Sequence, residues 1–203
     1  MIYLIRHTTP LIEKGMCYGQ TDIAVTDTFH EEAEAIKPLI PGSIELVYSS
    51  PLSRCTLLAG HLFPHHPITL ENDLMEIHCG EWEMQHWDTI PGDVIDPWMK
   101  DFVNMPFPGG ENYIQLHERV TTCFEKIAAA QKPVAIVAHG GVLRSILSHI
   151  TNTPLKESFG AFGLSYGCVV KLEKKDNSYV HQLLTERVTG KEQHKPSRFT
   201  PIP

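Results

Sequence analysis

Three short stretches place reactive or anion-binding side chains where the chain changes direction. "LIRHTTP" brings Arg6 and His7 to the end of an apolar run. "YSSPLSR" carries Arg54 just after a second run, and "VAHGG" ends a third in His139, Gly140 and Gly141. Arginine offers a planar fork of donors matched to phosphate oxygens. Backbone N–H groups at a helix start add to anion binding. A neutral imidazole with one nitrogen held by a hydrogen bond exposes a lone pair on the other. Such a set suits phosphoryl transfer through a phosphohistidine. The chain carries no G-x-x-x-x-G-K-[ST] loop and no evident carboxylate cluster for magnesium. Catalysis is therefore expected to use no metal and no cofactor, with Arg6, Arg54 and His139 bearing the load that metal ions bear elsewhere.

Periodicity indicates the elements that must position these corners. "IYLI", "IELVYS", "HPITLE" and "KPVAIVA" read as strands, and "SYGCVVKLEKK" and "SYVHQLLT" flank "DNS" as a hairpin. "TFHEEAEAIKPLI" has helical period, with Thr28 and Glu31 at capping-box spacing. In "SSPLSRCTLLAGHLF", Ser50 is expected at the N-cap and Pro51 in the first turn. "GENYIQLHERVTTCFEKIAAAQ" predicts a long amphipathic helix with Ile114, His117, Val120, Phe124 and Ile127 on one side, and "VLRSILSHI" predicts another helix. The alternation predicts one three-layer α/β/α domain over 1–203, with a mostly parallel central sheet and an antiparallel edge hairpin. Ligands bind such sheets at the carboxyl ends of the strands, where the three corners would meet. Residues from about 77 to 110 break the alternation with prolines, glycines and all three tryptophans. They read as a lid insertion, or equally as an irregular loop with its own small core. A polar, proline-bearing tail is expected from about 189 to 203.

Composition narrows the partners. The 203 residues are 42% hydrophobic and 20% charged, with net charge −7. An acidic body repels polyanions, so neither nucleic acid nor an anionic membrane is an expected partner. A small phosphomonoester remains compatible if a few cations are concentrated locally. Five scattered cysteines without a C-x-x-C pair argue against a disulfide framework or zinc ribbon. With no signal-peptide pattern and no long apolar run, a cytoplasmic location is expected. "HLFPHH" could bind a metal, but Pro64 breaks the helical spacing that would align its histidines.

"LIRHTT", "YSSPLSRC", "LMEIHCGEWE" and "VAHGGVLR", in this order and spacing, resemble the histidine phosphatase superfamily, with its phosphoglycerate-mutase-like fold. "CYGQTD", "GEWEMQHWDTIP" and "PGGEN" are similar to its α-ribazole phosphatases of cobalamin synthesis. The resemblance implies that His7 is the phosphorylated nucleophile and that Arg6, Arg54 and His139 hold the phosphoryl oxygens. It implies that Glu76 gives a proton to the leaving oxygen and then activates water. It further implies substrate contacts from Thr8, Tyr18, Gln20, Thr21, Trp82, Glu111 and Gly140. Glu81, Glu83 and Glu111 compete with Glu76 for the acid role. Four positions depart from the family pattern: Thr8 and Met84 where glycine is usual or frequent, Cys79 for an aromatic residue, and Asn112 for serine.

The insertion carries Glu81, Glu83, Asp88, Asp93, Asp96 and Asp101 against the single cation Lys100. Such a lid disfavours a second phosphate. Its tryptophans, with Phe102 and Phe107, offer stackable surface for an apolar or aromatic body. A phosphomonoester hydrolase is thus the leading expectation, with α-ribazole-5′-phosphate as substrate. A phosphoglycerate mutase-like enzyme and a non-catalytic phospholigand-binding domain are the alternatives.

Overall fold

The strings "IYLIR" and "VAIVA" are buried at every position, which a strand achieves only in a sheet covered on both faces. In the computed structural model, which describes residues 1–176 and 178–185, they are the two central strands. The six strands are β1 (Ile2–Arg6), β2 (Leu46–Ser49), β3 (Ile68–Leu70), β4 (Val134–Ala138), β5 (Val169–Lys175) and β6 (Ser178–Leu183). Their order is β3-β2-β4-β1-β5-β6. β1, β2, β3 and β4 run parallel, whereas β5 pairs antiparallel with both β1 and β6. This is the expected mostly parallel sheet with an antiparallel edge.

The described residues form six α-helices: α1 (Phe29–Ile36), α2 (Ser53–Leu62), α3 (Gly92–Lys100), α4 (Tyr113–Ala128), α5 (Gly140–Thr151) and the short α6 (Ser158–Ala161). The period-two alternation of the central strands divides the core. Ile2, Leu4, Val134 and Ile136 pack against α4 and α5. Tyr3, Ile5, Ala135 and Val137 pack against α1 and α2 on the other face. A third cluster, built on Cys17, Trp82, Trp87, Ile95 and Phe107, lies within and beside the 77–110 segment. No helix among the described residues is long and apolar enough to cross a membrane.

Helix caps differ from expectation at α1 and α2, each for a physical reason. Ser50 does not cap α2, because its hydroxyl lies 2.8 Å from His139 Nε2. The helix begins later, with Leu52 at the N-cap, and Asp22 Oδ1 accepts the Ser53 N–H at 2.8 Å. Thr28 does stand at the N-cap of α1, as expected, but its side chain makes no capping bond. Its hydroxyl donates to Glu32 at 2.7 Å, and Glu32 also accepts the Thr9 N–H at 2.9 Å. The capping box forms instead at α4, where Asn112 and Gln115 exchange bonds of 2.8 and 2.9 Å. Asparagine is among the strongest N-cap residues, so Asn112 suits this position. α4 buries Tyr113, Leu116, Val120, Cys123, Phe124 and Ile127. Its inner face is therefore turned slightly from the expected one, leaving Ile114 and His117 half-exposed at the flank. The expected tail at 189–203 and residue 177 of the hairpin turn lie outside the described residues.

Candidate active site

β1 and β4 are adjacent and parallel, with Arg6 paired to Ala138, so His7 and His139 leave the sheet side by side. Their rings meet edge to face with centroids 5.1 Å apart. His7 Nδ1 lies 2.7 Å from the Thr8 carbonyl oxygen. A carbonyl can only accept, so Nδ1 carries the hydrogen and Nε2 keeps its lone pair. Burial, followed by the charges of Arg54 and Arg6, holds His7 well below the usual imidazole range. The same causes, burial first and then Arg54, hold His139 low as well. Both rings are therefore neutral bases flanked by guanidinium groups.

The cations are held by backbone carbonyls. An Arg6 guanidinium nitrogen donates to the Leu164 carbonyl, and the group lies 4.1 Å from the centre of the Tyr166 ring. Arg54, in the first turn of α2, is fully buried. It donates to the carbonyls of Gly19 at 2.6 Å and Thr21 at 2.9 Å. In each of these contacts the acceptor is a neutral backbone carbonyl. α5 opens beside them. A Cβ on Gly140 would stand 3.1 Å from Arg6 Cζ, which is why the chain passes so close here.

Glu76 completes the group. Its carboxylate accepts the N–H of Gly141, in the first turn of α5, at 3.0 Å and that of Ile77 at 3.0 Å. Arg119 on α4 fixes the strand of chain leading to it by donating to the carbonyls of Asp73, Met75 and Glu76. Arg119 also pairs with Glu111 at 2.7 Å. Burial pushes the Glu111 carboxyl up, but the bonds from Arg119 and the His78 N–H outweigh it and hold the group low.

A cavity of about 180 Å³ opens onto these residues. Arg6, His7, Tyr18, Glu76, Gly140 and Gly141 line one side. Trp87, Trp98, Phe102, Phe107 and Phe159 line the other. A wall of this kind accepts an apolar or aromatic body, while the polar side holds an anion beside a neutral imidazole. The Tyr18 and Tyr166 hydroxyls meet at 2.7 Å on the polar side.

The model of the histidine phosphatase superfamily (branch 1) matches residues 2–187. The chain belongs to this superfamily. It is 25% identical over 200 residues to the Escherichia coli adenosylcobalamin/α-ribazole phosphatase, covering 94% of this chain and 98% of that one. It is 31% identical over 164 residues to an Arabidopsis thaliana metal-independent phosphoserine phosphatase, covering 74% and 68% of the two chains. The crystal structure of the α-ribazole phosphatase from Shigella flexneri superposes with a TM-score of 0.81 at 23% identity, over 93% of this chain and 98% of that one.

In this histidine phosphatase not every residue expected at the substrate reaches the cavity. Arg54 and His139 stand behind its wall, fully buried. Thr8 is also fully buried, and its carbonyl rather than its hydroxyl serves His7. Gln20 and Thr21 are turned toward Glu76 and Glu83: the Gln20 amide donates to the Glu76 carbonyl at 3.0 Å and the Thr21 hydroxyl to Glu83 at 2.6 Å. Glu111 is taken by Arg119, and Trp82 sits inside the aromatic cluster rather than at its open face. None of the six carboxylates of the 77–110 segment lines the cavity, so their charge does not bear directly on a bound ligand. The opposite charge does, since Arg144 lines it, stacked 4.3 Å from the Phe159 ring. Arg144 lies one helical turn after Gly140, a spacing that could have placed it on the same face. Arg119 and Tyr166 carry no such local signal, because distant strands and helices bring them in.

Proposed function

We propose that this chain is a metal-independent phosphomonoester hydrolase that works through a phosphohistidine on His7. The observation that carries this reading is the His7–Thr8 bond in a buried, neutral ring, which leaves Nε2 as a base in a cavity shared with Glu76. His7 Nε2 attacks phosphorus as the ester P–O bond breaks. Glu76 gives its proton to the leaving oxygen. The cation that forms on the imidazole keeps its Nδ1–H bond to Thr8, as a phosphohistidine requires. Glu76, now ionised, takes a proton from water whose oxygen attacks phosphorus. The N–P bond breaks, and both groups return to their starting states. Arg6, Arg54, His139 and the first turn of α5 stabilise the charge spread over the phosphoryl oxygens.

The aromatic wall, together with the E. coli and Shigella relatives, supports α-ribazole-5′-phosphate as substrate. Arg144 on that wall favours a second reading, O-phosphoserine, whose carboxylate would meet a guanidinium. The test is to mix enzyme with labelled substrate and quench in denaturant. Wild type is expected to carry an acid-labile label that His7→Ala abolishes, and to hydrolyse undiminished in excess chelator. Absence of label under single-turnover conditions would sink the mechanism. Comparing kcat/KM for α-ribazole-5′-phosphate, O-phosphoserine and 3-phosphoglycerate then decides the substrate. Isomerisation of 3-phosphoglycerate without phosphate release would make the enzyme a mutase instead.

A further inference from the structure

Of the six carboxylates in the 77–110 insertion, Glu83 is distinguished by its bonds. It accepts the backbone N–H groups of Gly19 at 3.0 Å, Gln20 at 2.8 Å, Thr21 at 3.3 Å and Cys79 at 3.1 Å. The Thr21 hydroxyl adds a fifth bond at 2.6 Å. This carboxylate never reaches the cavity. Across the same loop lies Arg54, which donates to the carbonyls of Gly19 and Thr21.

The link between the two is a single peptide unit. The Gly19 carbonyl and the Gln20 N–H belong to one planar trans group and so point in opposite directions. The N–H meets Glu83 and the carbonyl meets Arg54. With the N–H pinned by a carboxylate, the carbonyl is aimed at the guanidinium, and the peptide dipole is polarised in the sense that strengthens that contact. The loop also has no room to rotate elsewhere. A Cβ on Gly19 would lie 1.8 Å from the Ile77 carbonyl oxygen.

We infer that Glu83 is a positioning residue for Arg54: it fixes the Gly19–Thr21 loop whose carbonyls hold the guanidinium behind the cavity wall, where its charge acts on the phosphoryl group from beneath. This rests on the proposed reading of Arg54 as a phosphate clamp. It ties the insertion to the catalytic corner through a charge that the substrate never touches. Burial of the carboxylate raises its proton affinity, but the bonds from Thr21, Gly19, Gln20 and Cys79 outweigh this. Glu83 therefore stays ionised at neutral pH.

The experiment is a double-mutant cycle on the full chain with p-nitrophenyl phosphate as substrate and inorganic phosphate as competing ligand. Glu83→Gln keeps the shape but sets an amide against N–H donors. It is expected to lower kcat roughly tenfold and to weaken phosphate inhibition by a similar factor. In an Arg54→Ala background the same change is expected to cost nothing further, because its route is gone. Equal losses in both backgrounds would overturn the inference, as would wild-type phosphate affinity in folded Glu83→Gln. Arg54→Ala alone separates the two layers. If it leaves hydrolysis and phosphate inhibition untouched, the clamp reading itself fails. Should Glu83→Gln not fold, Thr21→Val loosens the same clasp with the carboxylate intact, and the cycle is read in the same way.

Discussion

His7 Nδ1 donates to the carbonyl oxygen of Thr8, the next residue, across 2.7 Å. Two neighbouring residues thus decide which nitrogen of the ring can react. Because burial and then Arg54 and Arg6 hold His7 below its ordinary value of 6.5, its Nε2 stays unprotonated through that region. The profile of kcat/KM against pH is expected to show no acid limb near 6.5 from the nucleophile. A limb there that disappears in His7 variants retaining partial activity would contradict this assignment.

The same burial sets the acid side of the stability curve. His7 and His139 are both lowered in the folded protein, so below about pH 6.5 the unfolded chain binds protons that the folded chain does not. Stability is complete above that value and falls as pH drops, by about 1.4 kcal/mol per pH unit for each such histidine. Glu83 and Glu111 act in the same direction at lower pH, since their stabilisation is lost as pH falls through their depressed folded values. Urea midpoints at pH 7, 6 and 5 are the check; a flat series contradicts the neutral-histidine site.

Gly141→Ala is expected to disable Glu76 without unfolding the protein. The added Cβ would fall 2.3 Å from Glu76 Oε1, at the end of a side chain able to swing away. The Gly141 N–H bond to the carboxylate would go with it. A loss of roughly 100-fold in kcat is expected, the scale of a displaced general acid. The melting temperature should change little. Unchanged kcat would show that Glu76 is not the proton donor.

Thr8→Val tests whether the hydroxyl takes part. Thr8 Oγ1 is buried with no hydrogen-bond partner among the described residues, and the carbonyl that serves His7 belongs to the backbone. Replacing that hydroxyl with a methyl group is expected to stabilise the protein by about 1 kcal/mol. Turnover should stay within about twofold of wild type, since nothing in the charge balance of the site changes. A large drop in kcat with normal folding would mean the hydroxyl binds the phosphoryl group.

Met84→Gly is expected to raise stability by up to about 1 kcal/mol. Met84 has φ of 63° and an exposed side chain, so it bears left-handed strain without packing in return. Thermal unfolding measures the change. A loss of stability would mean that the exposed thioether contributes more than the backbone strain removes.

The central strands were legible because β1 and β4 are continuous apolar runs that stop at a charged or imidazole residue. So were the corners carrying His7, Arg54 and His139, since each follows such a run. The face of α4 was readable only approximately. Ile114 and His117 satisfy the helical period as well as Tyr113 and Leu116 do, and packing against α5 rather than periodicity chooses between them. Ser50 looked like a cap because a serine before proline has that chemistry; a histidine 89 positions away claims its hydroxyl instead. Glu83 was invisible as anything but one acid among six, because all its partners except Cys79 sit 62 to 64 positions earlier in a loop with no period at all.

The pairing of β1 with β4 also has a temporal side. Ile2 registers with Val134, so β1 is made long before its parallel partner exists. Its other neighbour, β5, arrives later still. Until then, a mostly apolar strand has two open edges, and contacts so distant in sequence close slowly. A nascent or truncated chain ending before residue 134 would hold His7 on an unpaired, aggregation-prone ribbon. The pairing of His7 with His139 therefore waits on the synthesis of β4.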